Sequence, residues 1–122
     1  MGQLKVTYLD VAAQDPQEID ADGHYLTNNQ FEFYKDSVAG EQQVHALDGS
    51  DIERVENLAE QAKATDSGRY QIIYYDDRET EDVPADGYHE NGDWLEFYCD
   101  SVVGEKVVLS LKKSLVRQVE RM

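Results

Sequence analysis

The sequence predicts an all-β protein built from two tandem copies of one small unit. Three observations carry this reading. Residues 21–56 and 85–120 align without a gap at a constant offset of 64 and share 16 identities over 36 positions. Short runs in both copies alternate apolar and polar residues with the period of two that a half-buried strand requires. The breaks between these runs are rich in Gly, Asn, Asp and Ser, the residues that tight turns select, and they fall at matching places in the two copies.

In chain order, Leu4, Val6 and Tyr8 alternate with Lys5 and Thr7, giving a first strand. Its counterpart is 69–75, at an offset of 66, so the polar loop that follows is two residues shorter in the second copy. That loop (AAQDPQE or DRETED) reads as a surface connection. A short strand around Ile19 or Val83 leads into the repeated Ala-Asp-Gly turn, and Thr27-Asn-Asn-Gln30 or Glu90-Asn-Gly-Asp93 forms a polar hairpin loop. In the central strand Phe31 and Phe33, or Leu95 and Phe97, point one way; Glu32 and Tyr34, or Glu96 and Tyr98, point the other. Asp-Ser-Val-x-Gly-Glu is a second hairpin loop, its glycine free to take positive φ. Val44 and Leu47, or Val107, Leu109 and Leu111, belong to the next strand.

The end of the unit is ambiguous in the first copy alone. Ser50-Asp-Ile-Glu53 is a capping-box pattern, and Ile52, Val55, Ala59 and Ala62 have helical spacing. The matching stretch of the second copy, from Ser114 to Val119, is too short to carry a helix. One local structure has to serve both, so we expect a 3₁₀ turn running into a short final strand, with a brief helix over 57–64 in the first copy. Thr65-Asp-Ser-Gly68 is the linker, placing the two repeats at 1–64 and 65–122. Each unit then has about five strands with a helical turn before the last. That order resembles the SH3-like and Sm-like small barrels across most of both repeats, on strand rhythm and not on a signature motif. The resemblance implies two tandem small SH3-like barrels. The nucleic-acid loop residues of the Sm type are not recognisable here.

Twenty-six acidic residues against eleven basic ones give a net charge of −15. Such a surface repels itself at ordinary ionic strength and is relieved in concentrated salt, where the Debye length falls to about 3 Å. Valine outnumbers isoleucine twelve to four and only six lysines are present. This composition resembles that of halophilic proteins of haloarchaea and their viruses. One cysteine, Cys99, excludes an internal disulfide and an all-cysteine metal site. The N-terminal stretch lacks a signal-peptide pattern, and no apolar run approaches the ~20 residues that span a bilayer. The expected setting is the cytoplasm, or a virion if the protein is viral, with no membrane contact.

No constellation specifies chemistry. Counted from Asp20, the EF-hand places for glycine and glutamate hold Tyr25 and Phe31. His24, His45, His89 and Cys99 form no recognisable ligand set. Ser37 and Ser101 lack a histidine placed equivalently in both copies. No phosphate-cradling glycine loop is present. We therefore expect no catalytic residues, no metal and no cofactor.

Charge is unevenly placed. Lys106, Lys112, Lys113, Arg117 and Arg121 against Glu120 give 106–122 about +4, whereas 42–58 carries about −3, with Asp48 aligned to Lys112 and Glu53 to Arg117. These opposed edges, and an aromatic face bearing Tyr34, Trp94 and Tyr98, are the candidate interaction surface, since aromatic side chains are enriched at interfaces. The expectation is a non-catalytic structural or assembly protein working through protein partners, as a homo-oligomer or in a larger assembly such as a virion. Two alternatives stay open. One is an acidic inhibitor or nucleic-acid mimic; the other is a small-barrel nucleic-acid binder using the basic C-terminal strand, which the global charge opposes.

Overall fold

The computed structural model describes residues 3–9, 15–63, 68–101 and 104–122. Six strands come from each copy. The first gives β1 (Leu4–Tyr8), β2 (Gln17–Ile19), β3 (Gly23–Thr27), β4 (Gln30–Ser37), β5 (Gly40–Asp48) and β6 (Ile52–Asn57), followed by a helix α1 (Leu58–Lys63). The second gives β7 (Arg69–Tyr74), β8 (Glu81–Pro84), β9 (Gly87–Asn91), β10 (Trp94–Ser101), β11 (Gly104–Lys112) and β12 (Val116–Arg121). A 3₁₀ turn precedes the last strand of each copy, at Gly49–Asp51 and Lys113–Leu115. The all-β expectation holds. Two details of the sequence reading change: each copy has six strands, not about five, and no sheet closes into a barrel among the described residues. The linker at 65–67, the repeat boundary at 64/65 and parts of the loops at 10–14 and 102–103 lie outside the described residues.

Pairing repeats with the sequence. Gly23 opposes Tyr34 as Gly87 opposes Tyr98, and the ladder slips by one residue after Phe33 and again after Phe97. Val6 opposes Val55 and Ile72 opposes Val119, which confirms the offset of 66 in the first strand and 64 in the last. The retained residues have local reasons. Ala21 and Ala85 are fully buried. The carboxylates of Asp22 and Asp86 accept from the backbone N–H of Asp36 and Asp100. A Cβ on Gly23 or Gly87 would stand 2.3 or 2.4 Å from the Tyr34 or Tyr98 hydroxyl, so glycine is retained where a tyrosine ring lies across the backbone. The exchange of His24-Tyr25 for Tyr88-His89 follows too: Tyr25 stacks on Tyr34 and His89 on Tyr98, so either ring serves that outer position.

Each copy has its own core. Leu4, Val6, Phe31, Phe33, Ile52 and Val55 fill the first; Ile72, Phe97, Val108, Leu109 and Leu111 fill the second. Phe33 and Phe97 are both fully buried, as the period-two pattern requires. Yet the copies share a sheet. In the order β2-β1-β6-β11-β10-β9, β6 of the first copy pairs antiparallel with β11 of the second, with Glu56 opposite Leu109, Val55 opposite Ser110 and Arg54 opposite Leu111. The remaining strands form β3-β4-β5 and β12-β7-β8.

Candidate functional site

Three polar clusters lie along and beside the β6–β11 seam. At one end stands Trp94, the first residue of β10, which belongs to the second copy but packs in the core of the first. Its ring meets Phe31 edge-on at 4.7 Å between centroids, and its Nε1–H donates to Asn29 Oδ1 at 2.8 Å. Asn29 and its neighbour Asn28 take positive φ in the β3–β4 turn, a conformation asparagine tolerates. Gly49 leaves the room the ring needs, because a Cβ there would lie 2.8 Å from the Asn29 carbonyl and 3.1 Å from the indole. The Lys112 ammonium sits 5.1 Å from the Trp94 ring and donates to the carbonyls of Gly49 and Ser50. Asp48, opposite Lys112 in the alignment, caps the adjoining 3₁₀ turn by accepting from Ser50 N–H, which holds its carboxyl below the usual range.

In the middle, the His24 ring lies 2.9 Å from Ser110 Oγ, which donates to Glu96 Oε2 at 3.4 Å. Ser110 Oγ thus links the Nε2 side of the His24 ring to the Glu96 carboxylate, leaving Nδ1 on the other side of the ring. That Nδ1 has no partner among the described residues, and a cavity of about 170 Å³ adjoins the residue, lined also by Tyr34, Glu41, Asn57 and Lys106. Ser110 is fully buried, so its hydroxyl is closed to a substrate. Burial pushes the His24 pKa down to about 4, and this has a measurable consequence. The unfolded chain takes up a proton below about pH 6.5 while folded His24 does not, so stability falls as pH drops from about 6.5 toward 4, by up to ~3 kcal/mol. Urea unfolding at both ends of this window should show the loss, and His24→Gln should flatten that part of the profile. An unchanged slope in the variant would assign it to other groups.

On the rung opposite Leu111, next to the Lys112 end, is Arg54 of β6, buried and bound to Glu56 at 2.7 Å, to Glu81 at 2.6 and 2.8 Å, and to the Tyr74 hydroxyl, which also donates to Glu81. Burial alone would raise the Glu81 pKa, but the guanidinium outweighs it and holds the carboxyl low. Burial and then the bond to Glu81 push the Tyr74 hydroxyl up. The cluster ties β6 of the first copy to β7 and β8 of the second.

The sequence-derived surface is thus divided. Trp94 is buried inside the chain and Tyr34 is buried on Gly23, while Tyr98 is half-buried on Gly87; they do not form one exposed aromatic face. Glu53 pairs with Arg78, not with the basic end, and Lys113 approaches Glu90 at 3.5 Å. Arg117 is exposed on β12. Arg54, His24 and Ser110 were not legible as partners: His24 and Ser110 are 86 residues apart, and Arg54 and Glu81 are 27 apart. The hint was that each breaks the repeat, with Tyr88, Ala46 and Gln118 at their counterparts. No group of three or more metal-binding side chains lies together among the described residues, and no described helix is long and apolar enough to cross a membrane. The chain matches no protein-family model, no curated protein and no solved structure.

Proposed function

We propose that this chain is a non-catalytic structural or assembly component that works through protein–protein contacts in a high-salt environment, with a virion accessory role or a cytoplasmic one equally compatible with its chemistry. The observation that carries the reading is that, of the edge strands, β5 and β12 are the repeat counterparts of the two strands that join the copies. Among the described residues β5 pairs only with β4 and β12 only with β7, so each presents a row of backbone donors and acceptors to its surroundings. β5 is exposed along nearly its whole length. Each copy is read here as an opened SH3-like small barrel, two three-stranded arrays around one core, whose missing closure is what leaves an edge for a partner. The nucleic-acid alternative is weakened by Lys112, whose ammonium is engaged inside the chain.

The high-salt part follows from the charge of −15. Thermal unfolding should shift upward as KCl is raised from about 0.1 M toward molar, well past the point where one Debye length of screening is reached. A melting temperature indifferent to KCl over that range would sink the halophile reading. Stable folding at low salt with tight binding to basic proteins would favour the acidic mimic.

A further inference from the structure

We propose that the β6–β11 seam is the template for a contact between chains, in which β5 of a second copy adds to β12 and the units run head to tail; this rests on the assembly reading above. The argument starts from the repeat. β12 is the counterpart of β6, and β5 is the counterpart of β11. Within one chain the first unit offers β6 to the second unit's β11, whereas the counterparts β12 and β5 stay apart. Were the two units related by a closed twofold, both seams would form inside the chain. One forms, so the relation is head-to-tail and its two ends remain unused. Repeated between chains, it closes into a ring or continues as a filament.

Side chains support the same contact, because the residues that break the repeat do so in matched sets. At the first end of the seam, the large Trp94 lies against the small Gly49 and donates to Asn29. The counterparts are Gln30, Lys113 and Asp93: a smaller donor, a larger neighbour and again an acceptor. Lys112 rests on the Gly49–Ser50 turn, and its counterpart Asp48 would meet Lys113 and Ser114, so that an anion replaces the cation and a lysine replaces the glycine it faces. The corresponding place in the second unit is an open cavity of about 560 Å³ lined by Tyr75, Asp93, Lys112, Lys113, Ser114 and Val116. On the Arg54–Leu111 rung the charged set Arg54, Tyr74 and Glu81 has the neutral counterparts Gln118, Tyr8 and Gln17, and the Tyr8 hydroxyl already donates to Gln17 at 2.8 Å, as Tyr74 does to Glu81. Arginine and glutamate have been exchanged together for two glutamines. In the middle His24 on Ser110 becomes Tyr88 on Ala46, and Tyr88 is 40% exposed in the single chain. Independent drift of two solvated surfaces would not keep donor facing acceptor and large facing small at each of these places.

The register follows from the template. Glu56 opposite Leu109, Val55 opposite Ser110 and Arg54 opposite Leu111 translate into Glu120 opposite His45, Val119 opposite Ala46 and Gln118 opposite Leu47 of the next chain. The test uses His45→Cys and Glu120→Cys, both at exposed positions, in about 2 M KCl where self-repulsion is screened. Full-length chains carrying one or the other change are mixed, oxidised and run without reductant, beside sedimentation of each sample. Covalent heterodimers in the mixture and in neither variant alone are expected, with a ladder or covalent ring from the double variant; unmodified chain reports any reaction of the buried Cys99. Cross-linking of His45→Cys with itself would mean twofold edge pairing and overturn the head-to-tail contact. Oligomers by sedimentation without the His45–Glu120 cross-link would overturn this contact while leaving the assembly reading standing. A monomer at every salt concentration would overturn this contact and remove self-assembly from that reading.

Discussion

Replacing Arg54 with alanine should destabilise the fold by about 3–5 kcal/mol, the range for breaking one side of a buried ion pair. The guanidinium is 9% exposed and neutralises Glu56 and Glu81 while bonding the Tyr74 hydroxyl. Its removal leaves two carboxylates in a partly desolvated site with no cation between them. The lower part of the range is the better expectation, because a third of the Glu81 side chain still meets water. A double change tests the cause. Arg54→Gln with Glu81→Gln copies the neutral set that the chain carries at Gln118 and Gln17, so the pair should cost less than Arg54→Gln alone. Denaturant midpoints for the single and double variants give the coupling energy directly. Additive losses would show that Arg54 acts by packing its stem and not by its charge.

Truncating Trp94 to alanine should cost about 3–5 kcal/mol as well, the usual price of deleting a large buried aromatic. The loss has a particular distribution. Trp94 lies in the first copy's core but on the second copy's strand, so its removal empties a space in one unit and frees the other. Asn29 Oδ1 loses its donor and Lys112 loses the ring beneath it. Hydrogen exchange should therefore rise in the β3–β4 turn and at the Gly49–Asp51 turn before it rises in β7 and β8. Uniform loosening of both units would mean that the seam is not a separable junction. Phe33 and Phe97, buried within single units, should lack this directional pattern.

Much of the fold was legible because it is local and written twice. The 3₁₀ turn before the final strand came from comparing Ser50-Asp-Ile with its gap-free counterpart Ser114-Leu-Val, and the helix over Leu58–Lys63 fell inside the expected stretch. The face assignment of Phe33 and Phe97 came from a period that any strand imposes. Two expectations failed for one shared reason. Trp94 was assigned to an exposed face, and the strands were closed into barrels. Each required knowing which strand lies beside which, and alternation reports the buried face of a strand without naming its neighbour. Strand edges offer the same backbone N–H and C=O groups whatever the side chains.

The sequence by itself determined the duplicated unit, its strand rhythm and turns, the positions of the two cores and the acidic surface, because all of these depend on composition and on contacts between near neighbours in the chain. Tertiary structure alone decided that β6 would continue into β11 while β12 and β5 stay apart. The physical reason is that this choice turns on residues far apart in the chain. Trp94 needs the space at Gly49, Arg54 needs the carboxylate of Glu81, and His24 needs Ser110. Those fits exist only after the two units have met.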